Sequence, residues 1–342
     1  KELDMKDIKV GVIGCGYWGP NLIRNFNDNY HTDIIYACDA DTERIERIKL
    51  RYPLITVTTN YKHLLRDKNL QVVAIATPVR THYKLIKETL NAGKHVLIEK
   101  PLTANTTEAE ELVELAHKKN LILFVDHTFI YTGAVKKIKE FMSSGGIGDI
   151  YYFDSVRVNL GLFQSDINVI WDLAPHDVAI MDYLLTEKPK SVVATGASHT
   201  HSGIEDIAYV SVNFRNNLIA HFHLNWMSPV KIRRIILGGN KKMIVFDDLD
   251  PADKIKIYDK GITFTKPNKK VIYRNIIQYR VGDMYAPNID NTEALKVMID
   301  HLADCLLNKK TPITDGESGL RVVRILEAAE KSMKKGGIKI SL

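Results

Sequence analysis

The chain has 342 residues, 47 Lys and Arg against 41 Asp and Glu, and a formal net charge of +6; hydrophobic residues make up 45% and charged residues 26%. That length suggests about two domains, with a core large enough to need no disulfide or metal staple. The basic residues are dispersed, with only short clusters such as Lys136-Lys137 and Lys334-Lys335, which argues against a nucleic-acid footprint, and no apolar run of about 18 residues or apolar leader predicts a membrane span or signal peptide.

The chain begins at Lys1 rather than a methionine, so a short preceding segment is expected. From there, short apolar runs alternate with amphipathic stretches. Ile8–Ile13, Ile34–Cys38, Val72–Ile75, His95–Ile98 and Ile122–Val125 read as buried strands. Asn21–Asn27, Thr42–Leu50, Tyr61–Leu65, His82–Asn91 and Glu108–Lys118 carry helical spacing. This β-α-β order predicts a parallel sheet with helices on both faces and right-handed crossovers.

Gly14-Cys15-Gly16-Tyr17-Trp18-Gly19 follows the first strand and opens a helix. Gly14 permits the tight turn, Gly16 lets backbone approach a pyrophosphate, and Gly19 lets helix pack on strand. The helix N-terminus then offers free N–H groups to phosphate. Asp39 closes the second strand 20 residues after Gly19, where a carboxylate bonds ribose hydroxyls and repels a 2′-phosphate. The expected cofactor is therefore NAD. Arg44 and Arg47 keep NADP open. Thr77-Pro78 and Glu99-Lys100-Pro101 end the fourth and fifth strands, and ligands of open α/β sheets bind beyond such carboxyl ends.

After about Phe141, longer runs with period-2 alternation appear: Ile150–Val158, Ser191–Ala197, Ala208–Phe214, Leu218–Trp226, Lys231–Leu237 and Met243–Phe246. A helical stretch, Asp172–Leu185, interrupts them, and two more, Thr292–Leu307 and Ser318–Met333, close the chain. The predicted class is α/β: an N-terminal Rossmann domain (1–128) and a C-terminal α+β domain (129–342) with an open, largely antiparallel sheet. The last helix and strand are expected to pack back on the first domain. His199-x-His201 and His221-x-His223 share strand faces as metal ligands can, but the alternation around the second pair reads as a polar sheet face or subunit interface, and no metal is expected. Cys15, Cys38 and Cys305 have no C-x-x-C spacing; reduced thiols in a cytoplasm are the simplest account.

The glycine turn, Ala76-Thr77-Pro78 with His82, Ala92-Gly93-Lys94-His95-Val96, Glu99-Lys100-Pro101, Asp172-x-x-x-His176, Thr311-Pro312 and Asp315-Gly316 together resemble the Gfo/Idh/MocA oxidoreductase family over nearly the whole chain. Glu293-Ala294-Leu295 stands where many members have Glu-Pro-Leu. The resemblance implies a Rossmann domain, a cis Lys100–Pro101 bond, and an open sheet used between subunits of a homodimer or homotetramer. Tyr17–Asn21, Asp126–Phe129 and Asn168–Asp177 resemble a narrower group associated with nucleotide-activated sugars and amino-sugar biosynthesis. That group implies NAD-dependent oxidation of a ring hydroxyl at the 3-position. A free polyol or monosaccharide such as inositol is the alternative substrate. An NAD-binding regulator without turnover is the alternative of another class, and the Lys100, Asp172 and His176 set argues against it.

Hydride loss from a secondary alcohol needs a base for the hydroxyl proton and a stabiliser for the alkoxide. Asp172 and His176 lie four apart and share a helix face. Pro175 is tolerated in a first turn, so Asp172 is expected at or near the N-cap; the helix N-terminus disfavours an imidazolium at His176 while Asp172 opposes that shift, and the balance stays open. His176 is read as the base, Asp172 as its orienter and Lys100 as the alkoxide stabiliser; members of the family differ on whether the Lys is itself the base. Gly14, Gly16, Tyr17, Trp18, Gly19, Asp39, Thr77, Pro78, His82, Glu99, Lys100 and Trp171 are expected at the cofactor. Lys100, His127, Arg157, Asn159, Asn168, His176 and Tyr285 are expected at the substrate, with Asp166 and Asn288 nearby.

Overall fold

The computed structural model describes residues 8–161, 163–164, 167–200, 203–264 and 277–342. Asp166 and His201 lie outside the described residues. The chain divides into two compact units: residues 1–131 with 292–324, and residues 132–291 with 325–342.

The first unit opens β1 (Ile8–Ile13), α1 (Gly19–Asp28), β2 (Thr32–Cys38), α2 (Thr42–Arg51), β3 (Thr56–Thr58), α3 (Tyr61–Arg66), β4 (Val72–Ile75), α4 (His82–Asn91), β5 (His95–Glu99), α5 (Thr106–Lys119) and β6 (Leu123–Asp126). Its six strands pair in the order β3-β2-β1-β4-β5-β6, all parallel. Val72 to Ile75 and Val96 to Ile98 are buried throughout, as continuous apolar runs covered on both faces must be. Caps set the helix starts. The Asp41 side chain accepts from the Glu43 and Arg44 N–H groups, and Asn105 accepts from Glu108 N–H.

The second unit holds α6 (Gly133–Ser143), β7 (Ile150–Leu160), α7 (Val169–Leu184), β8 (Pro189–Ala197), β9 (Ile207–Phe214), β10 (Ile219–Asn225), β11 (Met227–Gly239), β12 (Met243–Asp247), β13 (Ile255–Tyr258), β14 (Gly261–Phe264), β15 (Ile277–Arg280) and β16 (Met284–Tyr285). The chain then continues through α8 (Ala294–Asn308), α9 (Gly316–Lys334) and β17 (Ile340–Ser341). Among the described residues a nine-stranded sheet runs β16-β13-β12-β11-β7-β10-β9-β8-β17. Only β7 and β10 pair in parallel. The sheet is open, ending in two-residue strands on both edges. Helix α7 packs on β7, β9 and β10, covering Phe153, Val210, Ala220 and Phe222.

The C-terminal segments divide between the two units. Strand β17 lies at the edge of the nine-stranded sheet, where Ile340 pairs with Val192. It is α8 and the start of α9 that belong to the first unit. Arg24 of α1 donates to both carboxylate oxygens of Glu293, at 3.0 and 2.6 Å, and Val125 N–H donates to Thr314 O at 2.8 Å. Among the described residues no helix is long and apolar enough to cross a membrane.

Candidate active site

In the first unit, the expected cofactor residues gather at the carboxyl ends of β1, β2, β4 and β5. Gly14 has φ +96°, and a Cβ there would lie 2.3 Å from Ala76 O. A Cβ on Gly19 would lie 1.9 Å from Gly14 O. Both positions exclude a side chain. Around Gly16 a Cβ would meet only the end of Arg44, at 3.5 Å, so the turn keeps open space beside its backbone. Helix α1 has no side-chain cap and no acidic residue in its first turn, leaving its N–H groups for an anion.

Asp39 Oδ2 accepts from Cys15 N–H at 2.6 Å and Oδ1 from Asp41 N–H at 2.9 Å. The carboxylate thus holds the turn while keeping lone pairs for ribose hydroxyls. Arg44 stands 3.7 Å from it. Turn, helix end and carboxylate together fit a dinucleotide, as a cradle that side chains would fill. Burial pushes the Cys15 thiol up to about 12, with the Asp39 charge adding to it, and burial first, then Asp39, pushes Cys38 up to about 11. All three cysteines are free and buried.

Tyr17 is exposed, its ring 6.4 Å from that of Trp18. Trp18 turns inward, its indole N–H donating to Asp126 Oδ2 at 2.9 Å. His82 is buried, with Nδ1 2.9 Å from Pro101 O and Nε2 2.8 Å from Thr77 O. It clamps the Thr77-Pro78 loop to the segment after β5. Burial holds it below the usual histidine range, against the pull of those carbonyls. The Lys100–Pro101 peptide is cis. Glu99 ends β5 opposite Asp126 at the end of the parallel strand β6, and Lys100 and His127 follow the two strand ends. His127 is buried, and neither ring nitrogen has a hydrogen-bond partner among the described residues. Burial first, and the Lys100 charge second, push it down to about 3.

In the second unit the expected helix start is corrected. The α7 N-cap is Asn168, whose Oδ1 accepts from Ile170 and Trp171 N–H at 3.1 and 3.3 Å. Asn168 Nδ2 donates to Glu205 at 3.3 Å. Asp172 therefore sits inside the helix, and Pro175 and His176 lie beyond the first turn. The helix-terminal field fades within that turn, and His176 lies outside it. Asp172 and His176 share one half-buried face of α7, and Trp226 Nε1 donates to Asp172 Oδ2 at 3.0 Å.

Several of the expected ligand residues make hydrogen bonds within the fold. Arg157 is buried and donates to both oxygens of Asp177, at 2.9 and 2.6 Å, with Ser155 donating at 2.8 Å. This bidentate pair ties β7 to the residue after His176. Trp171 Nε1 donates to Glu330 Oε2 at 3.0 Å, joining α7 to α9. Asn159 is half-buried near the end of β7. Tyr285 lies on β16, four strands from β7 in the sheet order, with Lys242 Nζ 5.7 Å from its ring centroid; the structure does not bring it to α7. Asn288 is exposed.

His199 is held by Asp206 at 2.8 Å, and His221 by Asp154 at 3.1 Å. Among the described residues, no three His, Cys, Asp or Glu side chains cluster as a metal requires. Asp126 and Asp177 stand in the runs Asp126–Phe129 and Asn168–Asp177 with no role assigned to them, and Trp226 only ends an expected strand. Asp126 had a usable signal, since it ends a parallel strand. The other two had none, because their partners lie 20 and 54 residues away.

A family model described as an oxidoreductase family with an NAD-binding Rossmann fold matches residues 8–127, and the GFO/IDH/MocA C-terminal domain model matches residues 135–245. The two matches cover more than half of the chain. Myo-inositol 2-dehydrogenase of Thermotoga maritima is 24% identical, with 96% of this chain and 97% of that protein covered. The structure of UDP-N-acetylglucosamine 3-dehydrogenase GnnA from Acidithiobacillus ferrooxidans is similar with a TM-score of 0.81 at 23% identity, covering 97% of this chain and 99% of that one. The WlbA dehydrogenase from Bordetella pertussis, solved with NADH and UDP-GlcNAcA, gives 0.82 at 18% identity, with 98% of each chain covered. At these identities the structural likeness shows the fold.

Proposed function

The chain belongs to the Gfo/Idh/MocA oxidoreductase family, and from that premise we propose that it oxidises a ring hydroxyl of a nucleotide-activated sugar, at the 3-position, giving a keto-sugar. The observation that carries the dehydrogenase reading is the retained set of chemical groups. Lys100 follows a strand of the dinucleotide-binding unit, and Asp172 and His176 share one face of α7. A protein that only senses NAD would have no use for these three side chains.

Bound NAD⁺ would supply the hydride acceptor. His176 takes the hydroxyl proton, Asp172 orients the imidazole from one turn away, and the Lys100 ammonium stabilises the developing alkoxide. The Trp226 indole N–H fixes one carboxylate oxygen of Asp172. Asp39 favours NAD over NADP by repelling a 2′-phosphate.

The nucleotide-sugar reading draws on the run Asn168–Asp177 and on the ligand of WlbA. The full-length similarity to a myo-inositol dehydrogenase favours the second reading, a free polyol substrate. The net positive charge of +6 suits a substrate carrying a diphosphate. The half-exposed sheet face bearing Tyr209, His221 and His223 is the surface assigned to pairing in a homodimer or homotetramer. The free, buried cysteines suit a reducing cytoplasm.

NADH formation against a panel of UDP-, dTDP- and GDP-sugars and free polyols tests the assignment, alongside an assay for retained cofactor and for 2-oxoglutarate-dependent turnover. Activity with one nucleotide sugar is expected. Activity with free polyols alone would replace the first reading by the second, and NAD binding without turnover on any substrate would favour the regulator.

A further inference from the structure

The carboxyl ends of β5 and β6 place two acids side by side, Glu99 and Asp126, opposite each other in register. Asp126 is buried and already surrounded by donors. Trp18 Nε1–H reaches its Oδ2 at 2.9 Å, while Thr128 N–H reaches its Oδ1 at 3.1 Å and the Thr128 hydroxyl bonds the same oxygen. Every one of these neighbours gives a proton, so Asp126 stands as the acceptor. Glu99 stands opposite Asp126 on the neighbouring parallel strand, so their side chains share one face of the sheet, and two carboxyls placed side by side away from water hold one proton between them rather than two charges. Glu99 Oε1 is buried with no hydrogen-bond partner among the described residues. A buried carboxylate oxygen without a donor is costly, whereas the carbonyl of a neutral acid is far less so.

We infer that Glu99 is a neutral acid that donates its proton to an ionised Asp126, so that one buried negative charge ties the Trp18 turn to the Lys100 segment. Burial and the Asp126 charge both hold the Glu99 carboxyl well above the usual range, and Lys100 only partly opposes them. The charged and titratable groups facing Glu99 are Asp126 and Lys100, with His127 beyond Lys100.

The chain of contacts runs Trp18–Asp126–Glu99 and on to Lys100 by sequence, entirely within the first unit. It makes Glu99 a positioning residue. The phosphate-binding turn and the lysine are set in one frame by a hydrogen bond that spans 108 residues of sequence and by its continuation across the strand pair. The consequence for Lys100 is electrostatic as well. A neutral Glu99 leaves a single negative charge beside the ammonium instead of two. The role in catalysis rests on the dehydrogenase reading; the pair itself does not.

Infrared spectroscopy on the whole protein tests it without a substrate. Wild type should show the carbonyl stretch of a protonated carboxylic acid at neutral pH, and Glu99→Gln should lack it. Trp18→Phe should shift the band, since removing the indole donor raises the basicity of Asp126. Loss of the band in Asp126→Asn with its persistence in Glu99→Gln would move the proton to Asp126 and overturn the assignment. Absence of any such band in wild type would overturn it outright.

NADH affinity gives a second readout. Glu99→Ala should weaken it about tenfold, the size of one lost hydrogen bond, and Glu99→Gln, whose amide still donates to Asp126, should recover most of the loss. Equal damage in both variants would mean that Glu99 acts as a charge. Stability adds a third. A folded-state pKa raised above the unfolded value confers stability that is complete below the unfolded pKa and lost as pH rises through the folded one. As pH rises from just above the unfolded carboxyl value, wild type should therefore lose stability more steeply than Glu99→Gln; equal slopes would count against a neutral Glu99.

Discussion

The two units treat their polar residues in different ways. In the first, the ligand site is built largely from backbone: a glycine turn, a bare helix N-terminus and strand ends, with side chains such as Asp39 and Asp126 bracing the backbone from behind. In the second, the groups around α7 are side chains, and most of those with bonding capacity are engaged by other side chains. Arg157 goes to Asp177, Trp171 to Glu330, and Trp226 to Asp172. The difference teaches where a sequence reading of a site holds. A backbone site is announced by residues that permit a conformation, and these are adjacent in sequence. A side-chain site is defined by which groups are left over after the fold has satisfied the rest, and that depends on distant partners.

The largest effect that sharpens this contrast is expected at Lys100. Lys100→Ala should lower turnover by about two to four orders of magnitude, the range for loss of a proton-handling or oxyanion-stabilising group, while NADH affinity measured by fluorescence stays within a few-fold. Retained turnover would remove Lys100 from the mechanism. Next comes the α7 clamp. Asp177→Ala strands a buried guanidinium and should cost about 3–5 kcal/mol in urea unfolding, whereas Arg157→Met with Asp177→Leu should recover much of it. If Arg157 instead served a ligand, Asp177→Ala would spare stability and raise KM.

A third effect is pH-dependent. His127 is held at about 3 when folded. A depressed folded pKa confers stability that is complete above the unfolded value and lost as pH falls towards the folded one. Between roughly pH 6.5 and 3 the wild type should thus lose up to about 1.4 kcal/mol per pH unit on this account. His127→Phe should flatten that limb, leaving the shares of His82 and His95, which burial also holds low. An unchanged acid limb would mean that His127 is hydrated or partnered. The smallest effect is expected at Asp39. Asp39→Ala should weaken NAD binding and reduce its preference over NADP by about tenfold, one ribose hydrogen bond's worth. An unchanged preference would put the ribose contact elsewhere.

Much of this molecule was legible in its sequence. Strands β1 and β4 and helix α4 stand within the expected bounds, because a strand buried on both faces must be apolar throughout and a helix between two such strands must be amphipathic. The glycine turn was legible for a similar reason, since Gly14 and Gly19 tolerate no Cβ. The start of α7 was not. Asp172 and Asn168 are both good caps by type, and only the geometry of the chain entering the helix selected Asn168.

Local constraints of this kind, apolar runs, turn glycines and the acid closing β2, are properties of neighbouring residues, and the sequence by itself determined them. The partners of buried polar groups were decided by tertiary structure alone. A buried donor or charge must find a partner wherever the fold brings one. Trp18 finds Asp126 across 108 residues and Trp171 finds Glu330 across 159, separations over which no periodicity carries information.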